Sequence, residues 1–464
     1  MTNSTLMYSN SWVEESWESR DTLLTLPTGN NNNNIMCSTC APTFSFGDVN
    51  AGGLALLRLL LIKLRARVLL TATAAQERSQ AGPTNIISLD QKIFAVSEVT
   101  LPFQIDLQSG SSTAAAATSA RPVVPVGFSD LDGLLGQEHN RPGWNGPEEA
   151  PMSAHPRTDP RTGETFFFSA NHGPNAQPIV NFVRVPANNV SGMNRTRLQI
   201  PVPGRPAAFY HDMFLTENYA VVVHSSLKRD PARLARGQSI NYFDETEPLR
   251  FGVLPRNARS AEEMIWIDAP RPGHIWHTVT GREEGNDTLV LYAPKFDAYA
   301  DQVDIHLATE EPSYLTRFLI NLTDGACAEA RIFDEVVERP TVNPNRISHR
   351  YAYLRSEGLA SQETGRRIVK FDLRTERMVG SFSCGAPESG CLFGEALFVP
   401  RSVANETLNE DDGFLMDIVY VADAHSSRFS VWSAESMEER PLLSANLPQR
   451  VPHGAHGAWF QSSL

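Results

Sequence analysis

Cysteine is scarce in this chain: five in 464 residues, too few to form a disulfide framework in a protein of this size. Cys37-Ser-Thr-Cys40 is a lone CxxC pair with no second half at zinc-finger spacing, which speaks against a structural zinc site. Basic charge is short as well. Forty Lys and Arg against 53 Asp and Glu leave a formal net charge of −13, and binding to phosphate needs a basic face, so a nucleic-acid partner is not expected. Long apolar runs are missing. The longest, Gly53-Leu-Ala-Leu-Leu-Arg-Leu-Leu-Leu-Ile-Lys63, carries Arg58 and Lys63 and continues into Arg65 and Arg67. That is too short and too charged to span a bilayer. It reads as a buried helix or a misassigned strand. A basic amphipathic helix lying on a membrane surface is the sharper alternative, and Leu54 to Ile62 is then the candidate for peripheral membrane contact. No clear signal peptide or transit peptide opens the chain, which leaves the compartment open between cytoplasm and plastid. Stretches with a 3.6-residue apolar period are rare; Pro231-Ala-Arg-Leu-Ala-Arg236 is one short helix candidate.

Short β-branched and aromatic runs fill the remainder. Asn85-Ile-Ile-Ser-Leu89 and Lys92-Ile-Phe-Ala-Val96 flank an Asp-Gln turn. Phe166-Phe-Phe-Ser, Ala220-Val-Val-Val-His, Thr288-Leu-Val-Leu-Tyr, Tyr351-Ala-Tyr-Leu and Asp417-Ile-Val-Tyr-Val continue the pattern, separated by Gly, Pro, Asn and Asp. Many short strands with no βαβ rhythm point to an all-β propeller or large sandwich. Residues 1–80 differ in texture. They hold the Asn30–Asn34 run and few alternating patterns, and are expected to form a divergent, partly disordered segment ahead of a β domain spanning 81–464. Ser109 to Ala120 reads as an exposed low-complexity loop.

Four histidines stand in separate contexts: His155, His211, His277 and His456. Imidazole is the commonest transition-metal ligand. The gaps between them are 56, 66 and 179 residues. If one decorated blade takes about 55–65 residues, somewhat above the usual repeat period, these gaps are one, one and three blades. Inner strands of a propeller converge on its axis, so residues far apart in sequence can meet there. His274, three residues before His277, is a rival ligand. His453 reads as a rim residue beside His456. His139, His172, His224, His306, His349 and His425 read as ordinary hydrogen-bonding histidines.

The surrounding words add a more specific reading. Ala154-His-Pro-Arg-Thr-Asp-Pro-Arg-Thr-Gly-Glu164, His211-Asp-Met-Phe-Leu-Thr-Glu-Asn-Tyr219, Arg250-Phe-Gly-Val-Leu-Pro-Arg256, Glu410-Asp-Asp-Gly413 and Val451-Pro-x-Gly-x-His-Gly-x-Trp459 occur in this order. Together they resemble the carotenoid cleavage oxygenase family, over about residues 84–460. The resemblance implies a seven-bladed β-propeller with Fe(2+) on its axis, held by His155, His211, His277 and His456. It implies three glutamates behind the ligands: Glu98 for His211, Glu338 for His277 and Glu395 for His456. A carboxylate there would fix the ring's tautomer and angle and make it a more basic ligand. The family's threonine beside an open iron position falls at Thr84. The implied reaction is oxidative cleavage of a conjugated C=C bond in a carotenoid or apocarotenoid, with a lipophilic polyene and dioxygen as substrates and no organic cofactor.

Three segments depart from that family's pattern. Thr280-Gly-Arg-Glu283 stands where Asn-Ala-aromatic-Glu is usual. Ala455 stands where phenylalanine usually precedes the last ligand. The usual opening strand is missing, with Phe46-Gly-Asp48 and Arg65 to Glu77 as faint remnants, so the first blade is open to being incomplete. Two alternatives follow: cleavage of a stilbene-like phenylpropanoid, and a catalytically impaired propeller that binds an apolar ligand or a protein partner.

Overall fold

The computed structural model describes residues 4–9, 84–98, 101–107, 123–135, 152–172, 178–187, 195–236, 238–239, 241–285, 287–299, 312–358, 367–384, 391–401, 409–451 and 456–461. The asparagine run, the CxxC pair, the apolar run at 53–63, the remnants at 46–48 and 65–77, the loop at 109–120, His139, His306, His453 and Ala455 lie outside them, as does the side chain of His172.

The first strands form where alternation and turn chemistry agree. Asn85–Leu89 and Lys92–Val96 pair antiparallel around Asp90 and Gln91, whose φ values of 51° and 62° are both positive, as a tight two-residue hairpin requires. Phe103–Leu107 and Val123–Phe128 complete this four-stranded sheet. The next sheet holds Arg157–Thr158, Thr165–His172, Pro178–Val185 and Thr196–Pro201. A third holds Met213–Leu215, Tyr219–His224, Arg250–Pro255 and Ile265–Asp268.

A seven-stranded ladder follows, from Thr280–Glu284 to Arg377–Ser383. Its middle strand, Cys327–Thr341, is 15 residues long and serves two units. Residues 327–336 pair with Ser313–Asn321, and residues 336–341 pair with Tyr351–Gly358, with register shifts between. The ladder is therefore two four-stranded units sharing one strand. A further sheet runs through Leu397–Pro400, Gly413–Val421, Ser426–Ser433 and Leu443–Asn446. Three units thus follow His277 before the closing strand His456–Gln461, as the 179-residue gap anticipates.

These sheets stack face to face around a common axis. Along Thr165–His172, Phe166 and Phe168 pack with Val222 and Leu254 of the following sheet, while Phe167 between them packs with Ile87 and Phe94 of the preceding one. Farther on, Leu289 and Leu291 face Val221 and Phe251, whereas Val290 and Tyr292 face Leu354 and Val369. Each strand alternates its side chains between two neighbours, which is how the blades of a β-propeller bury both faces. Pro231–Arg236 is a short 3-10 helix. No helix among the described residues is long and apolar enough to cross a membrane.

Two features add to the sequence reading. Within residues 1–80, Ser4–Ser9 is a strand, paired antiparallel with the closing strand from Ser4 opposite Gln461 to Ser9 opposite His456. The chain's start thus braces its last ligand segment. The cysteine count points away from a disulfide framework, and the one bridge among the described residues is local, between Cys384 and Cys391, seven residues apart. One local bridge needs no framework.

Candidate metal centre

Each of the four histidines sits just before or at the start of an inner strand. His155 precedes Arg157–Thr158, His211 precedes Met213–Leu215, His277 precedes Thr280–Glu284, and His456 opens His456–Gln461. The inner strands converge, and the four ring nitrogens lie within 4.8 Å of one another. The Nε2 atoms of His155 and His211 are 2.9 Å apart, those of His211 and His277 3.2 Å, and those of His277 and His456 3.2 Å. His274 is elsewhere. Its Nδ1 meets the Ser225 hydroxyl at 2.6 Å and its ring packs edge-on against Trp276.

Three carboxylates stand behind the rings. His277 Nδ1–H donates to Glu338 Oε2 at 2.6 Å, and His456 Nδ1–H donates to Glu395 Oε1 at 2.9 Å. His211 Nδ1 lies 2.6 Å from Glu98 Oε1, close enough to pair though not aligned as a hydrogen bond. Backbone amides help to hold two of the acids: Arg339 N–H donates to Glu338 Oε2 at 2.5 Å and Gly457 N–H to Glu395 Oε2 at 3.0 Å. The Thr84 hydroxyl donates to Glu98 Oε2 at 3.3 Å. Among the described residues no carboxylate meets the His155 ring. The resemblance implies these same three glutamate–histidine pairings; it assigns Thr84 to the side of an open iron position, and here the Thr84 hydroxyl meets Glu98.

The electrostatics favour a cation between the rings. Burial would raise the Glu338 carboxyl, but His277 and the Arg339 amide outweigh it and bring it down to about 2. Glu98 and Glu395 are likewise lowered against the effect of burial, by His211 and His456 respectively. Burial, with the neighbouring rings, pushes His155 well below the usual histidine value, and burial lowers His456 although Glu395 resists. Burial alone would lower His277 too, but Glu338 reverses the direction. Where a carboxylate engages Nδ1–H, the neutral ring turns a lone pair at Nε2 toward the other rings. Lone pairs facing one another at about 3 Å repel unless a cation lies among them. Two nitrogens that share one ion at right angles, each ~2.1 Å from it, would themselves be about 3 Å apart. Four nitrogens with no carboxylate among them suit a borderline transition metal rather than magnesium or calcium, which prefer oxygen.

A group that the sequence reading missed ties three of the ligand segments together. Asp212, buried next to His211, accepts from Arg157 Nη2 at 2.6 Å and from the Thr278 backbone N–H at 2.7 Å. The Thr278 hydroxyl donates to the Met213 carbonyl at 2.9 Å, and Arg157 reaches that hydroxyl at 2.8 Å. Arg157, Asp212 and Thr278 follow His155, His211 and His277 by two, one and one residues. One ion-pair knot therefore sets the relative positions of three of the clustered histidines. The clue in the sequence is a charged residue one or two positions after two of the histidines, Asp212 after His211 and Arg157 after His155.

The remaining signature words prove to be joints between blades. Asp159 accepts the Arg161 N–H at 2.9 Å and pairs with Arg256 at 2.8 Å; burial opposes its charge, but the arginines hold it at about 2. The His155 word is thereby bolted to the Arg250–Arg256 word. Glu410 accepts the backbone N–H groups of Arg350 and Tyr351, Asp411 pairs with Lys370, and Asp412 with Arg401. In the departing segment, Glu283 takes the Thr216 hydroxyl at 2.7 Å and the Asn218 N–H at 2.8 Å, and Thr280 bonds His349. That segment keeps a structural task despite its altered wording. His224 bonds Tyr210 and Lys228, an ordinary buried role like that of His349.

The comparisons with known proteins agree with this geometry. The model of the retinal pigment epithelial membrane protein (RPE65) family matches residues 41–461. A zeaxanthin 7,8(7',8')-cleavage dioxygenase, chromoplastic, of Crocus sativus is 32% identical over 314 residues, covering 66% of this chain and 81% of that protein. Among solved structures, a Synechocystis apocarotenoid oxygenase superposes with a TM-score of 0.65 at 21% identity, over 82% of this chain and 74% of that one. A Pseudomonas brassicacearum lignostilbene dioxygenase gives a TM-score of 0.66 at 20% identity, over 87% and 82%. With a matched family model across nearly its whole β domain and four imidazoles gathered on the axis of a propeller, the chain belongs to the RPE65 family, that of the carotenoid cleavage oxygenases.

Proposed function

We propose that this protein is an Fe(2+)-dependent dioxygenase that cleaves a conjugated C=C bond of a carotenoid or apocarotenoid to two carbonyl products, with dioxygen as co-substrate. The observation that carries the proposal is the four-imidazole cluster, backed by three carboxylates and free of any carboxylate ligand. His155, His211, His277 and His456 would hold the ion. When bound, ferrous iron supplies open coordination positions at which dioxygen and an electron-rich alkene react. The propeller of residues 81–464 carries the site, and the Ser4–Ser9 strand from residues 1–80 steadies its last ligand.

The chain's own residues orient the reactants and keep out water. Glu98, Glu338 and Glu395 hold three imidazoles in one tautomer, so their Nε2 lone pairs stay aimed at a common point. Asp212 and Arg157 help to fix that point by tying three of the histidine segments together. Phe209 and Trp276, 5.2 Å apart, both lie beside the His211 ring, at 6.1 and 5.1 Å. They form an apolar wall that suits a polyene and excludes water from the reacting bond. Thr84, tied to Glu98, acts as a steric guard at the open side. Delivery of so apolar a substrate calls for peripheral contact with a membrane, in plastid or cytoplasm.

The test is product mass after incubation of iron-loaded protein with β-carotene, a series of apocarotenals and resveratrol in parallel under oxygen. Paired aldehydes from a carotenoid or apocarotenal are expected, and His155→Ala should abolish them. Aldehydes from resveratrol alone would move the activity to stilbenes. No cleavage by protein holding stoichiometric iron would refute the oxygenase reading.

A further inference from the structure

Between the second and third strands of the His211 blade, Leu227–Arg229 and Asn241–Phe243 form a two-stranded ribbon. Strands in that blade alternate in direction. The connection between its second and third strands therefore emerges on the face from which the chain enters its inner strand, and the histidines sit at that entrance. Direct contacts agree. Phe209 N–H donates to the Leu227 carbonyl at 2.9 Å and Arg229 N–H to the Ala207 carbonyl at 2.9 Å. The ribbon thus runs alongside residues 207–209 toward the metal centre.

Arg229 is half-buried at the end of that strand, with its guanidinium carbon 5.6 Å from the centroid of the Phe209 ring. Phe209 packs on His211 and Trp276, and Trp276 on Tyr299. Other partly or largely buried arginines near the axis and between blades reach carboxylates: Arg157 reaches Asp212, Arg195 Asp90, Arg205 Glu247, Arg256 Asp159 and Arg367 Glu335. Among the described residues Arg229 reaches none. Glu98 acts on it only at longer range and is itself engaged by His211 and Thr84. Burial lowers the pKa of Arg229 from its ordinary value, as expected of a cation stripped of water without a counter-charge. A guanidinium offers a planar fork of donors matched to a carboxylate. An aromatic wall ending in such a fork, beside the metal centre, is built for a molecule that is apolar along its length and anionic at one end.

We propose that Arg229 binds the carboxylate end of a polyene acid, so that the substrate class includes acidic apocarotenoids. This rests on the oxygenase reading for its substrate but not for its test. The test is equilibrium binding to the full-length, metal-free protein, read by quenching of tryptophan fluorescence, with all-trans-retinoic acid and retinyl acetate as a matched acid and ester. Wild-type protein is expected to prefer the acid by about 10- to 100-fold, as a charge-assisted pair in a partly dry site supplies. In Arg229→Met the preference should collapse to about one, and Arg229→Lys should restore part of it. Equal binding of acid and ester by wild type, or an unchanged preference in Arg229→Met, overturns the proposal. Should the methionine variant fail to fold, Arg229→Gln takes its place with the same expected outcome. Turnover is scored separately: protein that selects the acid through Arg229 yet cleaves no polyene keeps the anchor and refutes the oxygenase reading.

Discussion

Two sides of the metal centre are built differently. His155, His211 and His277 are cross-braced, because Asp212 gathers Arg157 and Thr278 into one buried knot that reaches all three segments. His456 stands outside it. Its ring is held by Glu395, and its backbone by a closing strand whose described neighbour in the ladder is Ser4–Ser9. Glu395 in turn sits on a loop whose Gly394 N–H donates to the buried Asp417 at 3.2 Å, and a Cβ at Gly394 would come within 2.8 Å of that carboxylate. One side is a network that spans three histidine segments; the other is organised around one carboxylate, Glu395, and one strand pairing. Loss of a knot member strands partners in three segments, whereas loss of Glu395 acts on the His456 segment.

The largest effect is expected at the knot. Asp212→Ala leaves Arg157 without its counter-charge and Thr278 N–H without an acceptor. It should lower stability by about 3–5 kcal/mol, the range for breaking a buried pair, measured by urea unfolding of the metal-free protein. A loss below 1 kcal/mol would show that the knot is not a brace.

Next come the carboxylates behind the rings. Glu338→Gln and Glu395→Gln should each weaken metal binding by about 10- to 100-fold, read by competition with a chelator. The Glu395 variant belongs at the upper end, because His456 lies outside the Asp212 knot and Glu395 takes both its ring and the Gly457 N–H. Equal losses at the two positions would erase the contrast between the two sides. Thr278→Val removes hydroxyl contacts but keeps the backbone donor to Asp212. It should cost about 1 kcal/mol or somewhat more, again by urea unfolding, and should leave iron stoichiometry at one.

A further effect concerns pH. Burial pushes Asp417 up to about 7 from its ordinary 3.8, against the pull of the Gly394 amide and Arg355. The folded state therefore holds a proton that the unfolded chain has released between about pH 4 and pH 7. Stability contributed at this site is present below that window and falls as pH rises through it. Asp417→Asn should flatten the fall, visible as a smaller difference in unfolding midpoint between pH 5 and pH 8. A variant with the wild-type pH profile would remove Asp417 from the support of the His456 side.

What could be read from the sequence follows the same division. The four clustered histidines were legible because each sits in its own recognisable word, and propeller geometry converts one-, one- and three-blade gaps into a single axis. Glu98, Glu338 and Glu395 were named by resemblance, and each lies against one ring, His211, His277 and His456 respectively. The knot was not legible, since Arg157, Asp212 and Thr278 are 55 and 66 residues apart and nothing local pairs them. The Ser4–Ser9 strand was hidden for a related reason: six polar and apolar residues carry little pattern, and the pairing partner lies at the far end of the chain. Glu410, Asp411 and Asp412 look like one acidic cluster in the sequence but point to three different partners, because the chain turns through them, with Asp412 N–H donating to the Asn409 carbonyl at 3.0 Å.

The most direct test of a shared axial ion is diffraction at the iron absorption edge from crystals grown anaerobically with one equivalent of Fe(2+). One anomalous peak within coordinating distance of Nε2 of His155, His211, His277 and His456 is the expected result. A folded protein with no peak among those four rings, or with its iron bound elsewhere, would contradict the account.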